Sequence, residues 1–230
     1  QLRSHYGSTV LFSTATQPAL EALFTAAEED HPRSFAGWHP TELAKPELGL
    51  FDHARRVDIT WPARANTETS WEELAAQVVA TPQALVIVNL RKHAANLVSL
   101  VHELAPEGAW HLSTTMCSAH RRATLEAVRS ALRDGRPCRL ISTQCVEAGV
   151  DIDFPAVWRA LGPLDSIAQA AGRCNREGKR PTGNVTVFNP PLEGTLFPPG
   201  YYTRASLTLR QMLIDNPALD ILDPATVDLY

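Results

Sequence analysis

With 230 residues, 44% of them hydrophobic and 20% charged, the chain is long enough to bury a sizeable core and to hold one full domain with flanking pieces. Its net charge of −4 argues against a uniformly basic nucleic-acid coat, and no apolar stretch approaches the length that crosses a bilayer. The N-terminus lacks the basic-then-apolar order of a signal peptide, so a cytoplasmic protein with no membrane partner is expected. Charge is uneven along the chain: 13 Lys/Arg face 9 Asp/Glu between Arg91 and Arg180, and the flanks are acidic. Such a local excess can form a phosphate-binding face, as can an ordinary solvated helix surface. Cys117, Cys138, Cys145 and Cys174 show no CxxC pairing and read as buried small hydrophobes.

In chain order, Thr9 to Thr16 is an apolar run that ends in S-T-A-T, a polar strand terminus. Alone, such Ser and Thr residues form turns and caps. Residues 17–83 read as an irregular connector, with a helix to about Ala27, a Pro- and His-containing stretch, a strand near Val57–Trp61 and a helix at Trp71–Val79. From Ala84 the pattern becomes regular. Strands are predicted at Ala84–Leu90, His111–Thr114, Arg139–Thr143, Val157–Leu161 and Val185–Asn189, with helices at Lys92–Leu104, Ala119–Asp134 and Ser166–Arg173. This alternation predicts an α/β fold with a parallel sheet. Ser118 is placed to cap the second helix, and Gly135 followed by Pro137 to end it. After Asn189, Pro190-Pro191 and Pro198-Pro199 interrupt the pattern before a helix near Tyr201–Ile214.

Two segments concentrate the chemistry. The first, S-T-Q-C-V-E-A-G-V-D-I-D from Ser142 to Asp153, follows a strand, where α/β sheets place ligands. Gly149 permits close backbone approach there, and Asp151 offers a carboxylate for a ribose hydroxyl. A turn with a structural aspartate fits the same residues. The second is Q-A-A-G-R-C-N-R from Gln169 to Arg176, whose arginines, three apart, are expected on one helical face and aimed at one anion. Guanidinium forks suit phosphate oxygens and the charge that develops in phosphoryl transfer.

S-T-A-T, T-Q-C-V-E-A-G-V-D-I-D and Q-A-A-G-R-C-N-R, in that order, resemble motifs III, V and VI of superfamily 2 helicases. The wording from Ser142 to Gly178 is more narrowly similar to the helicase-nuclease of type I CRISPR systems. The resemblance implies a RecA-like parallel sheet flanked by helices, the second motor domain of an ATP-driven DNA translocase. Residues 1–16 would then end the first motor domain, 17–83 connect, 84–190 form the second domain, and 191–230 extend it. Arg173 and Arg176 would reach the γ-phosphate of ATP, aligned by Gln169. Gly149 and Asp151 would border the nucleotide, and Ser13, Thr14 and Thr16 would couple hydrolysis to movement. Thr143, Asn89, Arg91, Thr114, Thr115, His120 and Arg121 would contact single-stranded DNA. The implied partners are that DNA, the first RecA-like domain of the same parent chain, and a CRISPR guide-RNA surveillance complex acting in defence against foreign DNA.

The chain contains no G-x-x-x-x-G-K-[ST] loop, and Gly172 to Lys179 has the wrong spacing for one. ATP and Mg²⁺ are therefore expected to be held mainly by a first motor domain outside this sequence, which makes the chain a fragment that is inactive alone. Asp52-His53, with His5, His31 and His39 nearby, lacks metal-ligand spacing, so no metal site or nuclease activity is expected. Two alternatives stay open from the residues: a superfamily 2 helicase of repair, restriction or RNA metabolism, and a non-catalytic RecA-like module that binds nucleic acid or a partner.

Overall fold

The computed structural model describes residues 5–9, 11, 41, 43, 48, 55–192, 194–221 and 223–230. By internal contacts the chain divides into Gln1–Leu43 and Ala44–Tyr230. Ser13, Thr14 and Thr16, with the expected early helix, His31 and His39, and Asp52-His53, lie outside the described residues.

The second unit is built on a six-stranded sheet: β1 (Val57–Thr60), β2 (Gln83–Ile87), β3 (Ala109–Leu112), β4 (Cys138–Ser142), β5 (Ala156–Ala160) and β6 (Gly183–Phe188). Their spatial order is β1-β6-β5-β2-β4-β3, and every neighbouring pair is parallel. Helices α1 (Trp71–Ala80), α2 (Arg91–Leu104), α3 (Ser118–Arg133) and α4 (Leu164–Ala171) alternate with these strands, and α5 (Tyr201–Asp215) and α6 (Pro224–Leu229) follow. This is an α/β RecA-like fold.

Residue alternation decides which helix covers which face. On β2, Leu85 and Ile87 join Leu140, Val157 and Val185 in a core under α3 and α4. Ala84, Val86 and Val88 join Ile141, Trp158 and Phe188 in a second core under α1 and α2. That arrangement fits right-handed crossovers: the connections through α1 and α2 run one way across the sheet, those through α3 and α4 the other. With both faces covered, a central strand must be apolar throughout, which explains the unbroken run at Ala84–Val88.

Local chemistry fixes the helix ends. Ser70 Oγ accepts from the Glu73 amide at 3.1 Å, and Glu72 and Glu73 complement the helix dipole at the start of α1. At the end of α3, the Arg136 amide donates to Ala131 O and the Gly135 amide to Leu132 O, with Gly135 at φ +67. These paired bonds require a left-handed residue that glycine supplies without strain. Ser118 does not cap α3: it is the first helical residue, and Cys117 before it makes no side-chain cap bond. Cys117 is also exposed and Cys145 half-buried, so only Cys138 and Cys174 fit the expectation of burial. Burial pushes both of those thiols up to about 12.

The sheet starts earlier than the sequence suggested. β1 pairs with β6, and Trp71, Leu74, Ala75 and Val78 of α1 are core residues, so the stretch expected to be connector supplies an edge strand and a packed helix.

His93 gives the fold a pH dependence. It is buried in the first turn of α2 against Trp71, ring centroids 5.0 Å apart, with no hydrogen-bond partner for Nδ1 among the described residues. Burial, then the charge of Lys92, lowers its pKa from 6.5 to about 4. The unfolded chain thus binds this proton more readily, so the stability is complete above pH 6.5 and is lost as pH falls toward 4. The loss expected at pH 4 is of order 3 kcal/mol. Urea unfolding between pH 7 and 4 should show it, and His93→Phe should flatten the slope over that window. An equally steep slope in the variant would assign the effect to other groups.

Candidate functional site

Because all six strands run parallel, their carboxyl ends share one edge of the sheet. Residues following β2, β3 and β4 gather there, namely Asn89, Thr114, Thr115 and Thr143, with Arg91, His120 and Arg121 in the first turns of α2 and α3. Arg91, Thr114, Thr115 and His120 are exposed and Arg121 is half-buried. The Thr115 hydroxyl bonds to Ser113 Oγ at 2.8 Å, which in turn meets His111 Nε2 at 3.1 Å. Asn89 and Thr143 differ from the rest. Each is only 3% exposed. Thr143 Oγ1 donates to Cys145 Sγ, Asn89 Nδ2 donates to Leu161 O, and Asn89 Oδ1 accepts from Arg159 and Tyr202. Both side chains are engaged within the loops by these bonds.

Between α3 and the loop after β4 runs a groove of about 280 Å³, lined by Arg121, Arg122 and Arg129 above Leu112, Leu125 and Val150. Arg121 was expected in a binding role. Arg122 and Arg129 were not, although their spacing from Arg121 on a helix was available. Arg129 is partly engaged, through Nε to Asp151 O at 2.9 Å.

The arginine motif lies elsewhere. α4 ends at Ala171 with Gly172 as its cap, so Arg173 and Arg176 leave the helix and do not share a helical face. Arg173 O accepts from the Phe154 amide, and the Asn175 amide donates to Phe154 O. Phe154 lies two residues before β5, which puts this turn at the amino end of the sheet, opposite the edge that holds Thr114 and His120. Residues 143–153 run from one end to the other and link the two clusters.

The turn is held from several sides. Asn175 is fully buried with φ +46, and its amide group bonds to Arg56 O, Arg180 O and the Arg180 amide. Both carboxylate oxygens of Asp153 accept from the turn, one from the Arg176 amide at 2.8 Å and one from the Glu177 amide at 3.3 Å. Arg56 Nη1 donates to Arg176 O at 2.6 Å. Gly183 packs so closely that a Cβ there would lie 2.6 Å from Cys174 Sγ and 2.8 Å from Asn175 Cβ.

On this rigid turn the two arginines diverge. Arg173 points inward, with Nε bonded to Val146 O at 2.9 Å and Nη2 to Glu147 O at 2.6 Å. Burial, then the charge of Arg176, pulls its pKa below the usual value, while arginine stays cationic. Arg176 points outward and meets Asp151 at 3.4 Å, with the side chains 43% and 83% exposed. An exposed pair of this kind contributes little and exchanges readily for a better anion. Gln169, half-buried on α4, is close in sequence. Gly149 is exposed at φ +70 with open space where a side chain would stand. Gln169, Arg173, Arg176 and Asp151 thus belong to one end of the domain.

Residues 80–179 match the family model described as the C-terminal part of the CRISPR-associated nuclease/helicase Cas3. The CRISPR-associated nuclease/helicase Cas3 of Haloferax volcanii is 49% identical over 70 residues, 30% of this chain and 8% of that protein. The crystal structure of T. fusca Cas3 with AMPPNP covers 76% of this chain and 24% of that one, at 18% identity and a TM-score of 0.59. A second structure, of a CRISPR-associated protein, covers 76% and 21% at 21% identity with a TM-score of 0.53. The chain therefore spans under a tenth of the curated relative and about a quarter of the solved ones. The solved structures share the α/β fold of this chain, and residues 80–179 are similar to the C-terminal part of Cas3.

Proposed function

We propose that this domain is the second motor domain of an ATP-dependent DNA helicase of type I CRISPR interference, in which Arg176 reaches the γ-phosphate of ATP held by a first RecA-like domain. The observation that carries the reading is the contrast between the two arginines. Arg176 stands exposed on a turn braced by Asp153, Asn175 and Arg56, with a weakly held partner. Arg173 is bonded to two carbonyls of the loop after β4 and acts as its brace. A finger needs a fixed base and a free tip, because it stabilises charge that appears only during phosphoryl transfer. Gln169 would align the arginines, and Gly149 and Asp151 would border the nucleotide.

The opposite edge supplies the nucleic-acid face. Arg91, Thr114, Thr115, His120 and Arg121 are accessible there, continuous with the Arg122 and Arg129 groove. The loop from Thr143 to Asp153 would carry movement between DNA and nucleotide, since it touches both clusters. A CRISPR guide-RNA complex is the proposed recruiter and foreign DNA the proposed target in the cytoplasm. Among the described residues no helix is long and apolar enough to cross a membrane.

The carboxylates near Arg176 do not fit a Mg²⁺ ion. Asp153 spends both oxygens on backbone amides, Asp151 faces Arg176, and no group of three or more metal-ligating side chains gathers among the described residues. Magnesium would arrive with the nucleotide from the first motor domain, whose phosphate loop this sequence does not contain. The 230-residue chain should accordingly show negligible ATP hydrolysis with or without single-stranded DNA. Robust turnover in a steady-state phosphate-release assay would overturn the shared-site reading.

A further inference from the structure

One buried polar cluster takes no direct part in the proposed chemistry. Arg159, on β5, has no solvent exposure, in a position where a strand covered on both faces ordinarily carries an aliphatic residue. Its Nη2 lies 3.0 Å from Glu147 Oε1 and donates to the Tyr202 hydroxyl at 2.7 Å. Its Nη1 donates to Asn89 Oδ1 at 2.8 Å and to Ala160 O at 2.6 Å. The Tyr202 hydroxyl donates in turn to Asn89 Oδ1 at 2.8 Å. Gly162 leaves room for this: a Cβ there would stand 2.8 Å from the Tyr202 oxygen and 3.1 Å from Arg159 Nη2.

The cluster has a direction. Tyr202 sits in the first turn of α5, in the segment beyond the sheet. Glu147 sits in the loop after β4, and its carbonyl receives the 2.6 Å bond from Arg173. Three contacts, one buried and two partly buried, therefore connect α5 to the base of the arginine turn: Tyr202 to Arg159, Arg159 to Glu147, and Glu147 to Arg173. A guanidinium is suited to the middle, because its fork serves several acceptors in one plane and holds them in fixed relation.

We propose that Tyr202 is a positioning residue, which acts through Arg159 and Glu147 to set where Arg173 and the turn that carries Arg176 are held, so that docking of α5 is read at the arginine end of the domain. This rests on the motor reading for its functional consequence, although the structural linkage does not. A helix that only covered the sheet would need its apolar residues Leu209 and Leu213 but no hydroxyl aimed at a buried arginine. The linkage makes α5 part of the machinery, in a region where partner proteins or further domains could act on hydrolysis.

The test compares Tyr202→Phe with Leu213→Ala, which loosens α5 without touching the cluster. In the 230-residue chain, Tyr202→Phe should speed amide hydrogen exchange at Glu147 and at Arg173 to Asn175 by about tenfold, as expected for loss of one charge-assisted bond. Amides of β2 and β4 should stay near wild-type rates. Leu213→Ala should speed exchange throughout the α5 region without singling out those residues. Unchanged exchange at Glu147 and Arg173 in Tyr202→Phe, or a uniform rise in both variants, would overturn the linkage. In the complete helicase, Tyr202→Phe should lower kcat about tenfold with KM for ATP little changed, the signature of a misplaced transition-state group. If exchange responds but kcat does not, the positioning role fails. If Arg176→Ala also leaves kcat intact, it is the motor reading that fails.

Discussion

On the proposed motor role, replacing Arg176 by alanine is expected to lower DNA-stimulated ATP hydrolysis by the complete protein by roughly 10³-fold or more, in line with arginine-finger contributions elsewhere. The size follows from what the side chain gives up and what it serves. In the domain alone, Arg176 forms one exposed ion pair with Asp151, so its loss should change stability by no more than about 0.5 kcal/mol. Its backbone amide and carbonyl, bonded to Asp153 and Arg56, remain in place in the variant, and the turn keeps its shape. Rate and stability should therefore separate widely. Lysine should restore little, since a point charge on a flexible stem does not reproduce the planar fork. Steady-state hydrolysis at saturating ATP, beside a thermal melt, checks both halves. Hydrolysis near the wild-type level would remove the finger role, and a collapsed melt would mean that Arg176 supports the fold.

Arg173→Ala is expected to behave differently although the residue belongs to the same motif. It strands the carbonyls of Val146 and Glu147, so the loss of rate should come with a measurable loss of stability. The paired spacing of the arginines concealed this division. Gly172 is the one local stop signal, and Q-A-A-G is equally compatible with a helix that continues. The break comes from pairing of the turn with Phe154 and from left-handed Asn175, partners about 20 residues apart along the chain. Strand positions, by contrast, were legible to within three residues, because burial on both faces writes itself into an unbroken apolar run in β2. β1 and α1 were legible as a strand near Val57–Trp61 and a helix at Trp71–Val79, with Ser70 and Glu73 marking the helix start, but the irregular stretch before them hid that both pack into the sheet. Asn89 and Thr143 carried polar side chains at strand ends, which fits ligand contact and loop bracing equally. Only burial and bonding partners distinguish the two.

Arg159 shows the limit most clearly, and its replacement carries the largest stability effect expected here. In the sequence it is one charge in an apolar strand. Its partners Asn89 and Tyr202 lie 70 and 43 residues away, and no periodicity announces them. Arg159→Met keeps much of the volume but leaves Glu147, 7% exposed, without its cation. Breaking a buried pair from one side costs about 3–5 kcal/mol, a large part of the roughly 5–15 kcal/mol that holds a domain together. Burial already pushes the Glu147 carboxyl up, offset by Arg159 and a hydrogen bond from Ser166, and removing the arginine should push it further. A carboxyl whose pKa is raised by folding destabilises increasingly as pH rises through that range, so the deficit against wild type should shrink from pH 7 to pH 5. Adding Glu147→Gln should recover much of the deficit at pH 7 and abolish its pH dependence. Urea midpoints for the four members of the cycle isolate the pair from the rest of the cluster. A single variant no worse than a surface substitution would mean that Arg159 lends the strand no net support, whereas a deficit that stays constant with pH would assign the loss to packing, with the Glu147 charge playing no part.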